Sequence, residues 1–340
     1  MAQHTVAQHT GTARRPTILE VARLAGVSHQ TVSRFLRFNG DGLKPATRER
    51  VTAAIEELNY RPNLLARSMR TRVTGRVAVL MPALAYNPAR MLAGATRTAH
   101  DAGYTVEVIS PEGGAASRAE RILELSDTRQ VDGILSLAAA DLADGDLPTD
   151  TVVVISSSLD DEMRSTGELT DATPIVRFVE RLAELGHRRF YHVAGEADFP
   201  SARTRAAAFT ETVERLGLES TGIYAGDWSG ESGVAAVRAI RAGHEPTAII
   251  AANDVTAAGV MRGAVARGWS IPGDISVTGW DNNPMGPFLS PSLTTVEVNH
   301  ERVGSNGMAR LIALLRDEEP QITDVPVNQI IWRESTGPAA

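Results

Sequence analysis

The chain has 340 residues, of which 43% are hydrophobic and 22% charged, and its formal net charge is −7. This length predicts more than one compact unit, and the composition is that of an ordinary soluble globular protein. Because cysteine is absent, disulfides, thiolate metal sites and cysteine nucleophiles are excluded. No apolar run reaches the length of a membrane span and no signal-peptide core is evident, so we expect a cytoplasmic protein without a membrane partner.

Charge is distributed unevenly along the chain. Residues 1–76 contain 13 arginine or lysine residues against 5 acidic ones, a formal charge of +8, whereas the rest contains 21 against 36, a charge of −15. A basic segment attracts phosphate independently of base sequence. The asymmetry therefore favours a DNA-binding head on an acidic, ligand-sensing body.

Residues 1–16 have no apolar periodicity, and we expect them to form a disordered tail. Two short helical patterns follow in residues 17–36, separated by Ala25-Gly26-Val27, and Thr17 and Ser28 stand where their N-caps should lie. Apolar residues recur at three- and four-residue spacing after each cap. This is the pattern of a helix-turn-helix, although an ordinary helical corner with a solvated basic face has the same local pattern.

The second of these helices predicts a recognition surface for double-stranded DNA. If Val32, Phe35 and Leu36 pack inward, the outward side chains suit base edges and phosphates. These outward residues are His29, Gln30, Ser33, Arg34 and Arg37. In a helix-turn-helix the N-terminal end of this helix enters the major groove.

A third helix is predicted from Pro45, which fits a first helical turn and completes a head over residues 17–61. Residues 62–75 are predicted to form a hinge helix and linker. This segment is too short to be a stable helix alone and suits one that forms only on DNA, with Leu65 and Met69 on one face and Ala66 small enough for close approach. A linker helix that packs on the body is the alternative.

Short apolar runs alternate with amphipathic stretches over residues 76–335, in two sets of similar length. Strands that alternate with helices form right-handed βαβ units and doubly wound parallel sheets. The sequence therefore predicts an α/β fold, with a small all-α helix-turn-helix head and a two-lobed body of doubly wound parallel sheets. Because ligands bind beyond the carboxyl ends of such strands, two facing lobes predict a cleft lined by the residues after each strand.

Polar and aromatic residues at these strand ends form the candidate pocket. They lie in residues 83–87 and 199–205, at Asn253-Asp254 and at Asp281-Asn282. A guanidinium, a carboxamide and a carboxylate with aromatic faces suit a neutral polyol, since they bond hydroxyls while a ring covers the C–H face of a sugar. Taken singly, Arg205 has the alternative of a surface helix charge, Asn253 that of a helix N-cap and Asp281 that of a turn residue.

Several motifs in a single order give the chain a specific resemblance to the LacI/GalR family of bacterial transcription repressors, over residues 17–332. They are VARLAGVSHQTVSRFL, LNYRPNLLARSM, PSARTR, TAIIAANDVTAAGVMR, ISVTGWDN and PSLTTV. Within the family the chain resembles the lac-repressor branch, because of His29-Gln30 and of Gly226-Asp227-Trp228-Ser229. The resemblance implies a periplasmic-binding-protein-like body.

The resemblance also implies roles for individual residues, with His29, Gln30 and Arg34 as base readers and Met69 where the family usually places a leucine wedge. The predicted DNA-binding set is Thr17, Ser28, His29, Gln30, Thr31, Ser33, Arg34, Asn63, Leu65, Ala66 and Met69. The predicted effector set is Tyr86, Phe199, Arg205, Trp228, Asn253, Asp281 and His300. The chain departs from the branch at His300 and at Ser156-Ser157-Ser158, where the branch has an aromatic residue and a carboxylate.

We therefore expect a sequence-specific repressor, not an enzyme, controlled by a small carbohydrate inducer of galactoside or glucoside type, with no cofactor or metal. A single head covers little DNA, so a homodimer on a pseudo-palindromic operator is expected. One alternative keeps the fold but has a corepressor, a purine or phosphosugar, that strengthens DNA binding. An enzyme or transport-linked binding protein on the same body is disfavoured, because neither phosphate-binding loops nor catalytic or metal-ligand spacings are evident.

Overall fold

The computed structural model describes residues 16–38, 40–60, 73–82, 86–143, 145–147, 151–162 and 164–340, without the side chains of residues 37, 38, 86 and 87. The chain divides into two compact units, Met1–Thr74 and Gly75–Ala340, called here the head and the body. The predicted tail up to residue 15 and the hinge residues Asn63, Leu65, Ala66 and Met69 lie outside the described residues.

Three helices form the described part of the head: α1 Ile18–Leu24, α2 His29–Phe38 and α3 Pro45–Glu57. The turn between α1 and α2 contains Gly26 at a φ of +62°, a left-handed conformation that favours glycine. Val21, Val32 and Val51, one from each helix, are fully buried against one another in the core of the head. The apolar residues that recur at helical spacing in the sequence therefore form the core of the head.

Lobe 1 of the body is built on a four-stranded parallel sheet in the order β2-β1-β3-β4. Its elements are β1 Arg76–Leu80, α4 Tyr86–Asp101, β2 Thr105–Ile109, α5 Gly114–Thr128, β3 Gly133–Ala138, β4 Val152–Leu159 and the late helix α10 His300–Arg316. The central strand β3 is buried along its whole length, which explains its continuous apolar sequence.

Lobe 2 has a second parallel sheet in the order β6-β5-β7-β8. Its elements are α6 Thr173–Glu184, β5 Arg189–Ala194, α7 Pro200–Arg215, β6 Glu219–Ala225, α8 Gly230–Ala239, β7 Ala248–Ala251, α9 Asp254–Ala266 and β8 Ser276–Thr278. The two lobes share one apolar cluster that runs from Val77 in lobe 1 to Phe209 in lobe 2.

A two-stranded antiparallel ribbon, β9 Thr295–Val298 and β10 Asn328–Ile331, connects the lobes. The chain then ends along lobe 2, where Ser335 donates its backbone N–H to Ser292 O and its backbone oxygen accepts from Val277 N, both at 2.9 Å. Ala339 N donates to Leu185 O at 2.9 Å. The last residues therefore cover the edge of the sheet beside β8, a place where unpaired strand groups would otherwise be exposed.

The predicted α/β architecture, with its helical head and two parallel-sheet lobes, is confirmed. Helix α6, strand β6 and the ribbon were not among the elements expected from the sequence. Strand β6 lies at a sheet edge and is nowhere fully buried, so it carries no apolar run. Among the helices of the described ranges, none has both the length and the apolar character that crossing a bilayer requires.

Candidate functional site

The outer face of α2 carries the predicted base readers. His29, Gln30 and Arg34 are exposed, whereas Val32 is fully buried and Phe35 is partly buried against the core of the head. The helix therefore has hydrogen-bonding side chains on its exposed face, as the sequence predicts.

The two hydroxyl residues that precede the helices act as N-caps. Thr17 and Glu20 form a capping box, in which Glu20 N donates to Thr17 Oγ1 at 3.4 Å and Thr17 N donates to a Glu20 carboxylate oxygen at 2.7 Å. Ser28 Oγ accepts from Thr31 N at 3.1 Å and lies 2.9 Å from Thr31 Oγ1. Thr31 and Ser33 are half-buried. The Ser28 cap stabilises the first turn of α2, and the outward side chains of that turn remain exposed.

Arg205 lies at the centre of the candidate pocket, at the strand ends of lobe 2. It is only 7% exposed, and its NH1 donates to Ala252 O at 2.7 Å. The guanidinium carbon lies 3.7 Å from the ring centroid of Trp280 and 6.0 Å from that of Trp228. Burial lowers the pKa of Arg205 to about 10, against the opposing effect of Asp281. The alternative of a surface helix charge is therefore wrong.

Asp281 faces Arg205 from the loop after β8. Its backbone has a φ of +99°, outside the usual range for a residue with a side chain, and its N–H donates to Val296 O at 2.9 Å. Burial raises the pKa of the Asp281 carboxyl to about 7, although Arg205 acts in the opposite direction. Among the described residues no hydrogen bond to this carboxylate is formed, so its oxygens can accept from a ligand.

Trp228 and Phe199 supply the aromatic side of the pocket. Their rings meet edge to face with centroids 5.4 Å apart. Trp228 lies close over Gly195, where a Cβ atom would come within 2.3 Å of the indole ring. The indole Nε1 of Trp228 is buried and has no hydrogen-bond partner among the described residues. A buried donor without a partner is costly, which suggests a ligand acceptor at this point.

Asn253 serves as the N-cap of α9, as one interpretation of its position predicted. Its Oδ1 accepts from Thr256 N at 2.7 Å, and its Nδ2 donates to Trp228 O at 3.2 Å. The carboxamide retains one donor hydrogen and one acceptor lone pair. Asn253 therefore holds Trp228 in place and can still bond a ligand.

The two remaining predicted effector residues are His300 and Tyr86, and the structure describes the side chain of His300 alone. His300 begins α10 and is 3% exposed, its Nδ1 has no partner among the described residues, and burial lowers its pKa to about 4. It is therefore a neutral imidazole at neutral pH. Tyr86 begins α4, but its side chain lies outside the described part of the structure.

An acidic residue beside the site was expected from the sequence, whereas an ion pair beside it was not. Asp254 is 5% exposed, accepts from Asn283 N at 2.6 Å and from Thr295 Oγ1 at 2.5 Å, and burial raises its pKa to about 6. Its position directly after Asn253, past the end of a strand, predicts it in the pocket from the sequence. Arg90 and Glu297, which form an ion pair at 2.5 Å, carry no local signal because they are 207 residues apart.

Acidic and basic side chains occur in equal number in this region. Three carboxylates act on three guanidinium groups here, namely Asp254, Asp281 and Glu297 on Arg90, Arg205 and Arg333. The pocket thus offers hydrogen bonds without a large net charge, which favours a neutral ligand over an anion. Within the described part of the chain no cluster of three or more acidic or histidine side chains could hold a metal ion.

Comparison with known proteins gives two matches to protein families. Residues 17–63 match the lacI family of bacterial regulatory proteins, and residues 179–336 match a periplasmic binding protein-like domain. The HTH-type transcriptional repressor PurR of Photobacterium profundum is 30% identical, over 94% of this chain and 98% of its own length. The lactose operon repressor of Escherichia coli (strain K12) is 27% identical, over 94% and 90%.

Solved structures are similar over nearly the whole chain. The lac repressor dimer bound to operator and the anti-inducer ONPF has a TM-score of 0.69 at 27% identity, with 95% of this chain and 99% of that chain covered. The complex of the transcriptional regulator CelR with cellobiose has a TM-score of 0.56 at 27% identity, with 94% and 100% covered.

Proposed function

Because the chain belongs to the lacI family of bacterial regulatory proteins, a family of DNA-binding transcriptional repressors with a ligand-binding domain, we propose that a small neutral carbohydrate controls it. The sugar, an inducer of galactoside or glucoside type, binds beside Arg205, Asp281 and Trp228 and weakens DNA binding. The observation that carries this proposal is the open Asp281 carboxylate facing a buried guanidinium and an aromatic ring.

Each part of the pocket suits a hydroxylated ring. The Asp281 oxygens accept from vicinal hydroxyls, Arg205 donates in a planar fork, and Trp228 covers a C–H face while its indole N–H finds an acceptor. The balance of charges supports a neutral ligand. No step in this proposal is catalytic, since a repressor needs only a ligand that prefers one of two arrangements of the body.

A corepressor is the second candidate, and the relation to PurR favours it. A planar purine could stack against Trp228 and Phe199, and in that case ligand would strengthen DNA binding. A phosphosugar is a poorer fit, because Asp281, Asp254 and Glu297 already compensate the guanidinium groups of the pocket. The sign of the effect on DNA binding separates an inducer from a corepressor.

The head supplies DNA recognition through Gln30 and Arg34, and the chain acts as a homodimer on a pseudo-palindromic operator. The solved lac repressor is a dimer on its operator. On this chain the loop after β8 exposes large apolar side chains, with Met285 63% and Phe288 80% exposed. Exposed apolar clusters of this kind mark interaction surfaces, and we assign this one to the dimer contact.

Two measurements on the purified full chain test the proposal. A thermal-shift screen of monosaccharides, disaccharides including cellobiose, and purines identifies the ligand, since a compound that binds only the folded state raises the melting temperature. DNA duplexes that bind the chain are then selected from a randomised pool. Their affinity for the chain, with and without the ligand, shows whether the ligand weakens or strengthens DNA binding. Stabilisation by a sugar and release of DNA are expected. Stabilisation by purines alone, with tighter DNA binding, would replace the inducer by the corepressor.

The recognition helix is tested separately with the double variant Gln30→Ala, Arg34→Ala. We expect it to lose selectivity between enriched and random duplexes while its weak, salt-dependent binding to any DNA persists. The exposed Glu57→Ala at the end of α3 is the control. Undiminished selectivity in the double variant would refute the assignment of α2 as the reading element.

A further inference from the structure

The carboxylate of Glu297 on the β9 ribbon is shared between the two lobes. Its Oε1 accepts from Arg90 NH2 on α4 of lobe 1 at 2.5 Å, and its Oε2 accepts from Asn282 Nδ2 in the loop after β8 at 2.6 Å. The side chains of Arg90 and Glu297 are about one-quarter exposed, at 23% and 26%. One side chain therefore connects lobe 1 to the residue that directly follows Asp281.

Asn282 is held on both sides of its carboxamide. Its Oδ1 accepts from Arg333 NH2 at 2.7 Å, while Glu297 accepts from its Nδ2. The backbone N–H of Asn282 donates to Thr295 Oγ1 at 3.2 Å. These contacts fix the only orientation of the amide that satisfies a carboxylate on one side and a guanidinium on the other.

The three contacts of Asn282, called here the Asn282 clamp, hold a backbone that is in an unfavourable conformation. Asp281 and Asn282 have φ values of +99° and +47°, conformations that cost free energy for residues with side chains and persist only where surrounding contacts enforce them. Loss of the clamp would let this loop relax, and the Asp281 carboxylate would leave its position opposite Arg205.

We infer that Arg90 is a positioning residue for Asp281, and that the Arg90–Glu297–Asn282 chain of contacts couples the position of α4 in lobe 1 to the geometry of the binding carboxylate in lobe 2. This inference rests on the proposed function only in taking Asp281 as a ligand-binding group. A ligand that moves the loop after β8 then changes the free energy of the Arg90–Glu297 contact with lobe 1. Allosteric control requires such a difference in interaction free energy between two states.

A second ion pair on the same helix provides a matched control. Arg97 on α4 binds Glu301 at the start of α10 at 3.1 Å, but both helices belong to lobe 1 and the two side chains are 63% and 40% exposed. Loss of this pair removes a charge from α4 without touching the loop after β8.

The test is hydrogen exchange followed by mass spectrometry on the full chain, without ligand or DNA. The N–H groups of residues 281–283 are donors to Val296 O, Thr295 Oγ1 and Asp254 Oδ2, so their exchange reports the loop directly. In Arg90→Met and in Glu297→Gln we expect about twofold to fivefold faster exchange at residues 281–283. This factor corresponds to the free energy that a partly exposed ion pair contributes. Strands β5 and β7 should be unchanged, and so should the loop in Arg97→Met.

The conservative variant Arg90→Lys separates positioning from a general loss of stability. Because lysine keeps the charge, exchange at 281–283 should return most of the way to that of the unaltered chain. Uniformly faster exchange in β5 and β7 as well, or an unchanged loop in both Arg90→Met and Glu297→Gln, would overturn the inference. No sugar enters this experiment, so its failure is distinct from failure of the proposed ligand class.

Discussion

The guanidinium of Arg205 stacks on the ring of Trp280, with its central carbon 3.7 Å from the ring centroid. Trp280 is 1% exposed and lies two residues after β8, whereas Arg205 comes from the second turn of α7. The contact keeps a buried cation beside Asp281, the residue after Trp280, and so aligns the two groups on which ligand binding is proposed to depend.

Replacement of Arg205 by methionine should therefore affect both stability and binding. The Ala252 carbonyl would lose its donor and the ring of Trp280 its cation, which together should cost about 2–3 kcal/mol of unfolding free energy. Chemical denaturation measures this loss, and calorimetry with the sugar found by the screen measures the loss of affinity. Arg203→Met is the control, because Arg203 is exposed and its guanidinium donates to the Ala197 and Asp198 carbonyls in the loop before α7. Equal effects of the two variants would contradict the role given to Arg205.

The raised pKa of Asp281, about 7, predicts a pH dependence of stability. Because the folded chain holds this proton more tightly than the unfolded chain, the contribution of the group is full below about pH 4 and is lost as the pH rises to about 7. Asp254, with a pKa of about 6, acts in the same direction. Relative to the unaltered chain, the melting temperature of Asp281→Asn should therefore rise between pH 5 and pH 8.

The control for this pH dependence is Asp274→Asn. Hydrogen bonds from Ser270 lower the pKa of Asp274, so its contribution is present above the unfolded pKa and disappears only on acidification below it. The melting temperature of Asp274→Asn should change with pH in the same way as that of the unaltered chain from pH 5 to pH 8. An Asp281→Asn profile identical to that of the unaltered chain would show that Asp281 does not titrate in this range.

Gly195→Ala should displace the indole of Trp228. The added Cβ would lie 2.3 Å from the ring, and the ring cannot stay in place at that distance. We expect loss of the sugar-induced thermal shift, while selective DNA binding by the ligand-free chain persists because the head is unchanged. Gly230→Ala is the control, since its Cβ meets only Val255, whose carbonyl oxygen lies 3.5 Å away. A full thermal shift in Gly195→Ala would exclude Trp228 from the binding site.

Thr17→Ala should loosen the first helix of the head. The variant removes the hydroxyl acceptor of the capping box, a loss worth about 1 kcal/mol of helix stability. Hydrogen exchange of residues 20–25 should become about fivefold faster, whereas Thr17→Ser should behave like the unaltered chain. If alanine and serine gave the same exchange rates, the capping hydroxyl would have no part in holding α1.

Features that depend on neighbouring residues could be predicted from the sequence alone. Periodicity placed Val32 inside the head and Gln30 outside, hydroxyl residues marked both caps, and alternating strands and helices predicted the parallel sheets. The rule that strand ends meet at one edge of a sheet also placed Arg205 and Asp281 in one pocket.

Contacts between side chains that are distant in the sequence could not be predicted in this way. The pairing of Arg90 with Glu297, the buried Arg118 on α5 that binds Asp161 after β4, and the fit of Trp228 over Gly195 have no counterpart in local spacing. A local pattern records which face of a helix or strand is buried, because burial depends on the position of each residue around its own axis. The contacts between elements depend instead on how those faces pack together, and this packing holds Asp281 opposite Arg205.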